Sequence, residues 1–364
     1  MRMKVVQIIP TLSSGDAIGN ETLTIDQILK NDGVETSIYS EYVTPPLKKN
    51  MVKDIDRLTE LTKEDIAILH LSTSARSNRL FGSLPCKKVV MYHNVTPPEF
   101  FRHDNPYLEG LTSQALADVA YLSDKADYCL ADSEFNRKDL IEFGYKCPID
   151  VLPILIDFKE YNREPDQKII DCYKDKTVIL FTGRIAPNKK QEDIIRTFYY
   201  YKKYYNNEAI LILAGKYEEE DVYYRRLRKY IECLQLRDVI FTGHISFEEL
   251  LAYYKSADAF LCMSEHEGFC VPLLEAMYFN VPVIAYNNTA VPYTMGDAGI
   301  LINSKNPEED AGLLNDMMNN KVLRDKILAE QERRLANFDF RKMSSLFENE
   351  LKIIRHTEGT KQHD

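Results

Sequence analysis

Short apolar runs alternate with amphipathic stretches along nearly the whole chain. In the first half, Val5–Ile9, Glu35–Tyr39, Asp65–Leu71, Lys88–Tyr92 and Tyr128–Ala131 read as buried strands. Between them the spacing predicts a helix from Asp16 onward, with Leu23, Ile25, Ile28 and Leu29 on its apolar side, and further helices at 49–61, 108–124 and 133–143. The pattern breaks at 153–175, where Pro153 precedes a polar, aperiodic stretch that reads as a linker. It then restarts, with strands at Thr177–Thr182, Ala209–Ala214, Val239–Thr242, Ala259–Met263, Val281–Tyr286 and Ile300–Ile302. A helical segment at 307–336 and a last helix at 342–356 follow, and the polar tail 357–364 is expected to be disordered.

Alternating strands and helices imply α/β architecture with parallel, doubly wound sheets. Two similar Rossmann-like halves, 1–156 and 157–341, would place a ligand cleft at the carboxyl ends of their strands. No Gly-x-Gly-x-x-Gly follows the first strand, which argues against a nicotinamide or flavin enzyme.

Composition narrows the classes further. The 364 residues suffice for two cores. A net charge of −10 argues against nucleic acid as a partner, since phosphate backbone demands a basic face. No run reaches the length of a signal peptide or a spanning helix, so the expected location is cytoplasmic, with peripheral attachment to the inner membrane face left open. The acidic run Glu218–Glu220 and the basic run Arg225–Lys229 read as one solvated helix face or as a membrane or acceptor patch. The Tyr-rich stretch Phe198–Tyr205 reads as a helix with one packed aromatic face, or as a sugar-stacking platform. Seven scattered cysteines without a Cys-x-x-Cys pair fit reduced thiols rather than disulfides or zinc.

Chemistry concentrates at 264–279. An apolar strand ends at Met263, and Pro272 suits the first turn of the helix that follows. The loop amides of Gly268, Phe269, Cys270 and Val271 stand at the positive end of that helix, an anion cradle. Glu267 and Glu275 flank it with seven residues between them, placed for hydroxyl groups rather than for phosphate. Carboxylates at a helix start also stabilise the helix by themselves, by roughly 0.3–1 kcal/mol each.

This Glu-x7-Glu pattern, within Glu267-Gly-Phe-Cys-Val-Pro-Leu-Leu-Glu275, resembles the signature of glycosyltransferase family 4, retaining enzymes of GT-B fold that use nucleotide-sugar donors. The resemblance covers nearly the whole chain. It implies that Glu267 and the following amides hold the donor sugar, that Glu275 holds the ribose hydroxyls, and that the last helix crosses back to the first domain. Arg184 and Lys189, in the loop after the first strand of the second half, look like the family's pyrophosphate grip, with Lys190 where many members have glycine. Backbone near Ile245 would meet the base, and His93 resembles the histidine that reaches the donor sugar. Ser246 and Ser133 each read as a helix cap or a binding group. Gly15 and Asp16 replace the family's Gly-Gly pair on the acceptor side, where Asp16 caps a helix or contacts an acceptor hydroxyl. Ala290–Thr294 departs from the family's Gly-Ile-Pro-Glu, with Tyr293 at the acidic position, and carries no assigned role.

The expected function is transfer of a sugar from a nucleotide-diphosphate donor, GDP-mannose or a UDP-sugar, to an acceptor hydroxyl on a glycan or lipid-linked acceptor. Neither cofactor nor metal is expected, because the one Asp-x-Asp, Asp54 to Asp56, lies on a polar segment away from a strand end. The rival classes are a nucleotide-sugar epimerase or phosphorylase, which share the architecture, and a non-catalytic nucleotide-sugar-binding protein.

Overall fold

The computed structural model describes residues 3–13, 15–45 and 47–357, the side chain of Thr59 apart. The chain divides into two compact units: Met1–Pro98, Tyr107–Asp157 and Phe338–Asp364 form the first, and Glu99–Pro106 with Phe158–Asn337 the second.

The first unit is built on six parallel strands, β1 (Lys4–Leu12), β2 (Glu35–Val43), β3 (Ile66–Leu71), β4 (Lys87–Tyr92), β5 (Tyr128–Ala131) and β6 (Ile149–Val151), in the order β2-β1-β3-β4-β5-β6. The second repeats the plan with β7 (Val178–Thr182), β8 (Ile210–Ala214), β9 (Val239–Gly243), β10 (Ala259–Cys262), β11 (Val283–Tyr286) and β12 (Ile300–Ile302), in the order β12-β11-β10-β7-β8-β9. The inner strands β3, β7 and β10 are buried at every position, as expected of parallel strands covered on both faces. Each sheet reverses its strand order once, between β1 and β3 in the first and between β7 and β10 in the second. At such a switch point the loops leaving the two strands diverge and open a crevice above their carboxyl ends.

The last helix, Phe340–His356, returns to the first unit. Its residues Met343, Phe347, Leu351 and Ile354 recur at helical spacing and pack against Val5, Ile66, Ile68, Val89 and Leu130 of the sheet. Phe347 is fully buried, so Phe347→Ala would cost about 3–5 kcal/mol. Tyr128 Oη donates to Glu350 Oε2 at 2.9 Å, and Lys87 Nζ donates to the carbonyls of Ile354 at 2.6 Å and Thr357 at 2.7 Å, closing the helix end with a cation.

Several sequence expectations change. The segment 49–61 is not one helix but two short 3-10 turns, Lys49–Met51 and Ile55–Glu60. Lys53 between them lies extended and exchanges backbone hydrogen bonds with Ile38 and Ser40 at the sheet edge, and the Asp54 carboxylate caps the second turn. Asp56, the other half of the Asp-x-Asp, pairs with Arg76. The segment 153–175, expected as a linker, contains a 3-10 turn at Phe158–Asn162 and a helix at Gln167–Tyr173 capped by Asp166. The helix at 307–336 is broken at Asn320, whose amide N–H ends Pro307–Asn319 and whose side chain caps Lys321–Leu335. Strand β6 and the helix Arg76–Gly82, three and seven residues long, were too short to show as periodic patterns. The tail expected to be disordered lies, Thr357 apart, outside the described residues.

Candidate active site

The loop after β10 is the most constrained part of the second unit. Cys270 stands before the helix Val271–Tyr278 at φ 74° and ψ 65°, a left-handed conformation that costs a residue with a Cβ roughly 1–2 kcal/mol. Neighbouring loops hold it there. Asn188 accepts at its carbonyl from Glu265 N at 2.8 Å, and its side chain donates to the His266 carbonyl at 3.1 Å. From the loop after β11, Thr289 Oγ1 accepts from Glu267 N at 3.0 Å, Asn288 Nδ2 donates to the Glu265 carbonyl at 2.8 Å, and Thr294 Oγ1 donates to the Phe269 carbonyl. The stretch to which sequence reading gave no role, Ala290–Thr294, therefore braces the cradle: Ala290 N also donates to the Glu267 carbonyl at 3.3 Å. The helix here, Val291–Met295, is too short for periodicity to reveal this.

Lys189 ends a 3-10 turn, and Lys190 after it is left-handed at φ 53°, a conformation that glycine adopts without strain. Lys189 Nζ donates to both oxygens of Glu267, at 2.6 and 2.7 Å. Burial weighs against the ammonium charge, and the Glu267 carboxylate more than offsets this, so the lysine is held above its ordinary value. The expected convergence of Arg184 and Lys189 is thus modified: Lys189 is joined to Glu267, while Arg184 lies exposed in the same loop. Beyond Lys190, a second cationic set, Lys190 with Lys305, engages Glu265.

Glu275 is buried inside the helix and is fully engaged. Tyr161 Oη donates to its Oε1 and Tyr254 Oη to its Oε2, each at 2.7 Å, and Thr182 Oγ1 lies 2.6 Å from the Tyr254 hydroxyl. Burial raises the Glu275 carboxyl, and the two tyrosine hydrogen bonds pull it back. The same surroundings push both tyrosines up, so they remain the donors. Tyr161 comes from the stretch expected as a linker, and its ring packs on Phe158, Phe247 and Tyr278. The Tyr-rich stretch contributes Phe198 and Tyr201 to the core of this unit, as a packed helix face does. Val271 opens the cradle helix, with Gly268 half-buried before it. Ile245 sits half-buried after β9. Ser246 is a cap: it forms a reciprocal capping box with Glu249.

A second polar group lies at the switch point of the first sheet. Gln7 on β1 donates its Nε2 to the Thr22 carbonyl at 2.9 Å, which turns its Oε1 toward His70 Nε2, 2.9 Å away. His70 therefore carries its proton on Nε2 and accepts at Nδ1 from His93 Nε2, at 2.9 Å. His93 Nδ1 in turn meets Asp132 Oδ2 at 2.9 Å and stands 3.7 Å from Glu21 Oε2. Burial draws His70 well below its ordinary value; it also opposes charge on His93, where Asp132 and Glu21 win and hold the ring above its ordinary value. Glu21 is pushed up to about 8, chiefly by burial. Its Oε2 and Asp132 Oδ1 are buried without a hydrogen-bond partner.

His93, which resembles the histidine that reaches the donor sugar, has a side chain 1% exposed, with both ring nitrogens engaged inside the first unit. Gln7, Glu21, His70 and Asp132 were missed by sequence reading. The one available signal was His70, a polar residue in the otherwise apolar β3. Asp16 caps the helix Ala17–Asn31 by accepting from Gly19 N, and Gly15 beside it is left-handed at φ 77°. Ser133 caps Glu134–Glu142 through Asn136 N. Among the described residues two clusters bring three metal-binding atoms within 4.8 Å of one another, Glu21 with His70 and His93, and Cys262 with Glu267 and Cys270. The hydrogen-bonded chain already accounts for the two histidines.

A carboxylate and ammonium pair beside a helix start, with a second buried carboxylate one turn on, combines acceptors for hydroxyls with donors for phosphate. Residues 162–334 match the family model Glycosyl transferases group 1. That segment contains the Lys189–Glu267 pair, Cys270 and Glu275. Over 226 residues the chain is 25% identical to the O-antigen chain mannosyltransferase B of Escherichia coli, covering 59% of this chain and 57% of that protein. It is 27% identical over 304 residues to an uncharacterized glycosyltransferase of Methanocaldococcus jannaschii, covering 78% of this chain and 74% of the relative. The first alignment thus spans little more than half of that relative's length. In fold the chain is similar to Anabaena HepE, crystallised with UDP and glucose, at a TM-score of 0.75 and 17% identity over 96% of this chain and all of the other. The fold is α/β with two parallel six-stranded sheets, as in GT-B proteins. Over part of its length the chain is thus similar to group 1 glycosyltransferases, and its fold is that of GT-B proteins. Among the described residues no helix is long and apolar enough to cross a membrane.

Proposed function

We propose that the chain is a retaining hexosyltransferase that moves a sugar from a nucleoside-diphosphate donor to an acceptor hydroxyl in glycan or glycolipid assembly. The observation that carries this reading is the Lys189–Glu267 pair at the switch point of the second sheet, beside the buried and doubly hydrogen-bonded Glu275. Glu267 accepts from hydroxyls of the donor sugar. Lys189, Arg184 and the helix start at Gly268–Val271 face the diphosphate, whose charge grows as the bond to the sugar breaks. Glu275, oriented by Tyr161 and Tyr254, accepts from the ribose hydroxyls, and the turn at Ile245 lies against the base. The bond from the anomeric carbon to the diphosphate oxygen breaks, the bond to the acceptor oxygen forms on the same face, and the acceptor proton passes to the departing phosphate oxygen. No protein base, cofactor or metal ion enters this scheme.

The E. coli relative is named for mannosyl transfer and HepE was crystallised with UDP and glucose, which supports a hexose on GDP or UDP as donor. Gly15 and Asp16 are assigned to the acceptor side, and a lipid-linked acceptor would bring the protein to a membrane surface. Calorimetry against a panel of GDP- and UDP-sugars, followed by mass spectrometry of products with oligosaccharide and lipid-linked acceptors, tests the reading. One nucleotide sugar should bind and be consumed only with an acceptor. Consumption without acceptor points to an epimerase, and an absence of nucleotide-sugar binding overturns the proposal.

A further inference from the structure

The donor-site loop carries a feature that sugar transfer does not use. Cys262 ends β10 and Cys270 precedes the helix eight residues later; both thiols are buried, and both face the carboxylate of Glu267. One sulfur from each and one Glu267 oxygen lie within 4.8 Å of one another. Ligands on a tetrahedral zinc ion stand about 3.3–3.8 Å apart, given metal–sulfur bonds near 2.3 Å and metal–oxygen bonds near 2.0 Å, and on the larger cadmium ion somewhat farther. The three atoms need to draw in by no more than about 1.5 Å to meet the zinc geometry.

Three further observations favour a soft cation at this point. Glu267 already holds a cation there, the Lys189 ammonium, which bonds both of its oxygens. Both sulfurs are buried free thiols, so neither is tied up in a disulfide. Cys270 keeps a side chain at a left-handed position that glycine would occupy without strain. Two thiolates and a carboxylate select zinc-like ions over magnesium or calcium.

We propose that Cys262, Cys270 and Glu267 form a site for a thiophilic divalent cation of the zinc and cadmium class, and that its occupancy takes Glu267 from Lys189 and so competes with the sugar donor. The competition rests on the function proposed above; the metal site does not.

The test titrates the full, reduced chain with Cd²⁺ and reads the thiolate-to-metal absorbance in the near ultraviolet, without donor. One equivalent should saturate the band. The band should survive in Cys172→Ser/Cys233→Ser, which removes the exposed thiols, and in Cys129→Ser/Cys147→Ser, which removes the other close thiol pair, at 3.6 Å. It should be lost in Cys262→Ser and in Cys270→Gly, the latter keeping the fold because glycine suits the left-handed backbone. Glu267→Gln should weaken the metal at least tenfold. A band that persists in Cys270→Gly, or no saturation at one equivalent in the unaltered chain, overturns the site. In a second measurement, Cd²⁺ should lower the affinity of the bound nucleotide sugar at least tenfold in the unaltered chain and leave it unchanged in Cys270→Gly. Unchanged affinity in the unaltered chain, with the absorbance band present, overturns the competition alone.

Discussion

Each sheet buries acidic groups at its switch point, and the two units neutralise them by opposite means. In the second unit Glu267 meets a lysine ammonium at 2.6 Å, and Glu275 meets two tyrosine hydroxyls at 2.7 Å. Partners with such high intrinsic pKa values keep the arrangement constant across the physiological range. In the first unit Glu21 and Asp132 face a histidine, whose ordinary pKa lies within that range, so charge is balanced by where protons reside. Burial lifts Glu21 to about 8 because only a histidine stands beside it, whereas an ammonium bonds both oxygens of Glu267.

The largest effect should come from breaking the fixed pair. Lys189→Met leaves Glu267 buried without a counter-ion, which should lower stability by about 3 kcal/mol and turnover by ~10²–10³. Lys189→Met/Glu267→Met should recover most of the stability and none of the turnover, as read by denaturant melts beside assays. Losses that simply add in the double variant would mean that the two residues do not act as a unit.

Glu275 comes next. Glu275→Gln should weaken donor binding by about 1–3 kcal/mol, because a charged acceptor is replaced by an amide that must turn a donor toward one tyrosine. Tyr161→Phe should weaken it less, by about 1 kcal/mol, since Tyr254 still orients the carboxylate. Equal donor affinity in calorimetry for all three proteins would remove Glu275 from the donor site.

The titrating cluster predicts a pH dependence that the fixed pair lacks. Glu21 is raised from 4.5 to about 8 on folding, so between those values the folded protein keeps a proton that the unfolded chain has lost. Its stabilising effect is complete below about pH 4.5 and declines as pH rises toward 8, no more steeply than about 1.4 kcal/mol per unit. His93, also raised, acts with the same sign. Glu21→Gln, which keeps a neutral side chain at all pH values, should therefore gain melting temperature over the unaltered protein at pH 8 and not at pH 4.5. Parallel curves would show that Glu21 does not titrate in this window. The smallest expected effect is none: EDTA should leave transfer unchanged, and a loss that magnesium or manganese restores would move the diphosphate charge from Lys189 and Arg184 to a metal.

Much of this was legible in the chain itself. Parallel strands buried on both faces are apolar along their whole length, so β5 could be read to the residue; the half-buried edge strand β12 is apolar as well, and the two-sheet plan followed. The resemblance rested on local spacing, and the Glu267 to Glu275 interval, Pro272, Lys189 and Ser246 are all found on the elements they predicted. The strand β6, with an aspartate at its centre, and the helices Arg76–Gly82 and Gln167–Tyr173, of two turns each, were missed, because they are too short for a period to repeat.

What the sequence by itself determined is the alternation of elements, the caps, and which loop carries the acidic residues before a helix start, all of them consequences of neighbours within a few positions. Partner choice was decided by the tertiary structure alone. Glu267 and Lys189 are 78 residues apart, Glu275 and Tyr161 are 114 apart, and Glu21 reaches the amide of Leu155 across 134. A buried carboxylate requires a donor, but sequence does not say which one; strand order does, because it sets which loops leave the sheet side by side at each switch point.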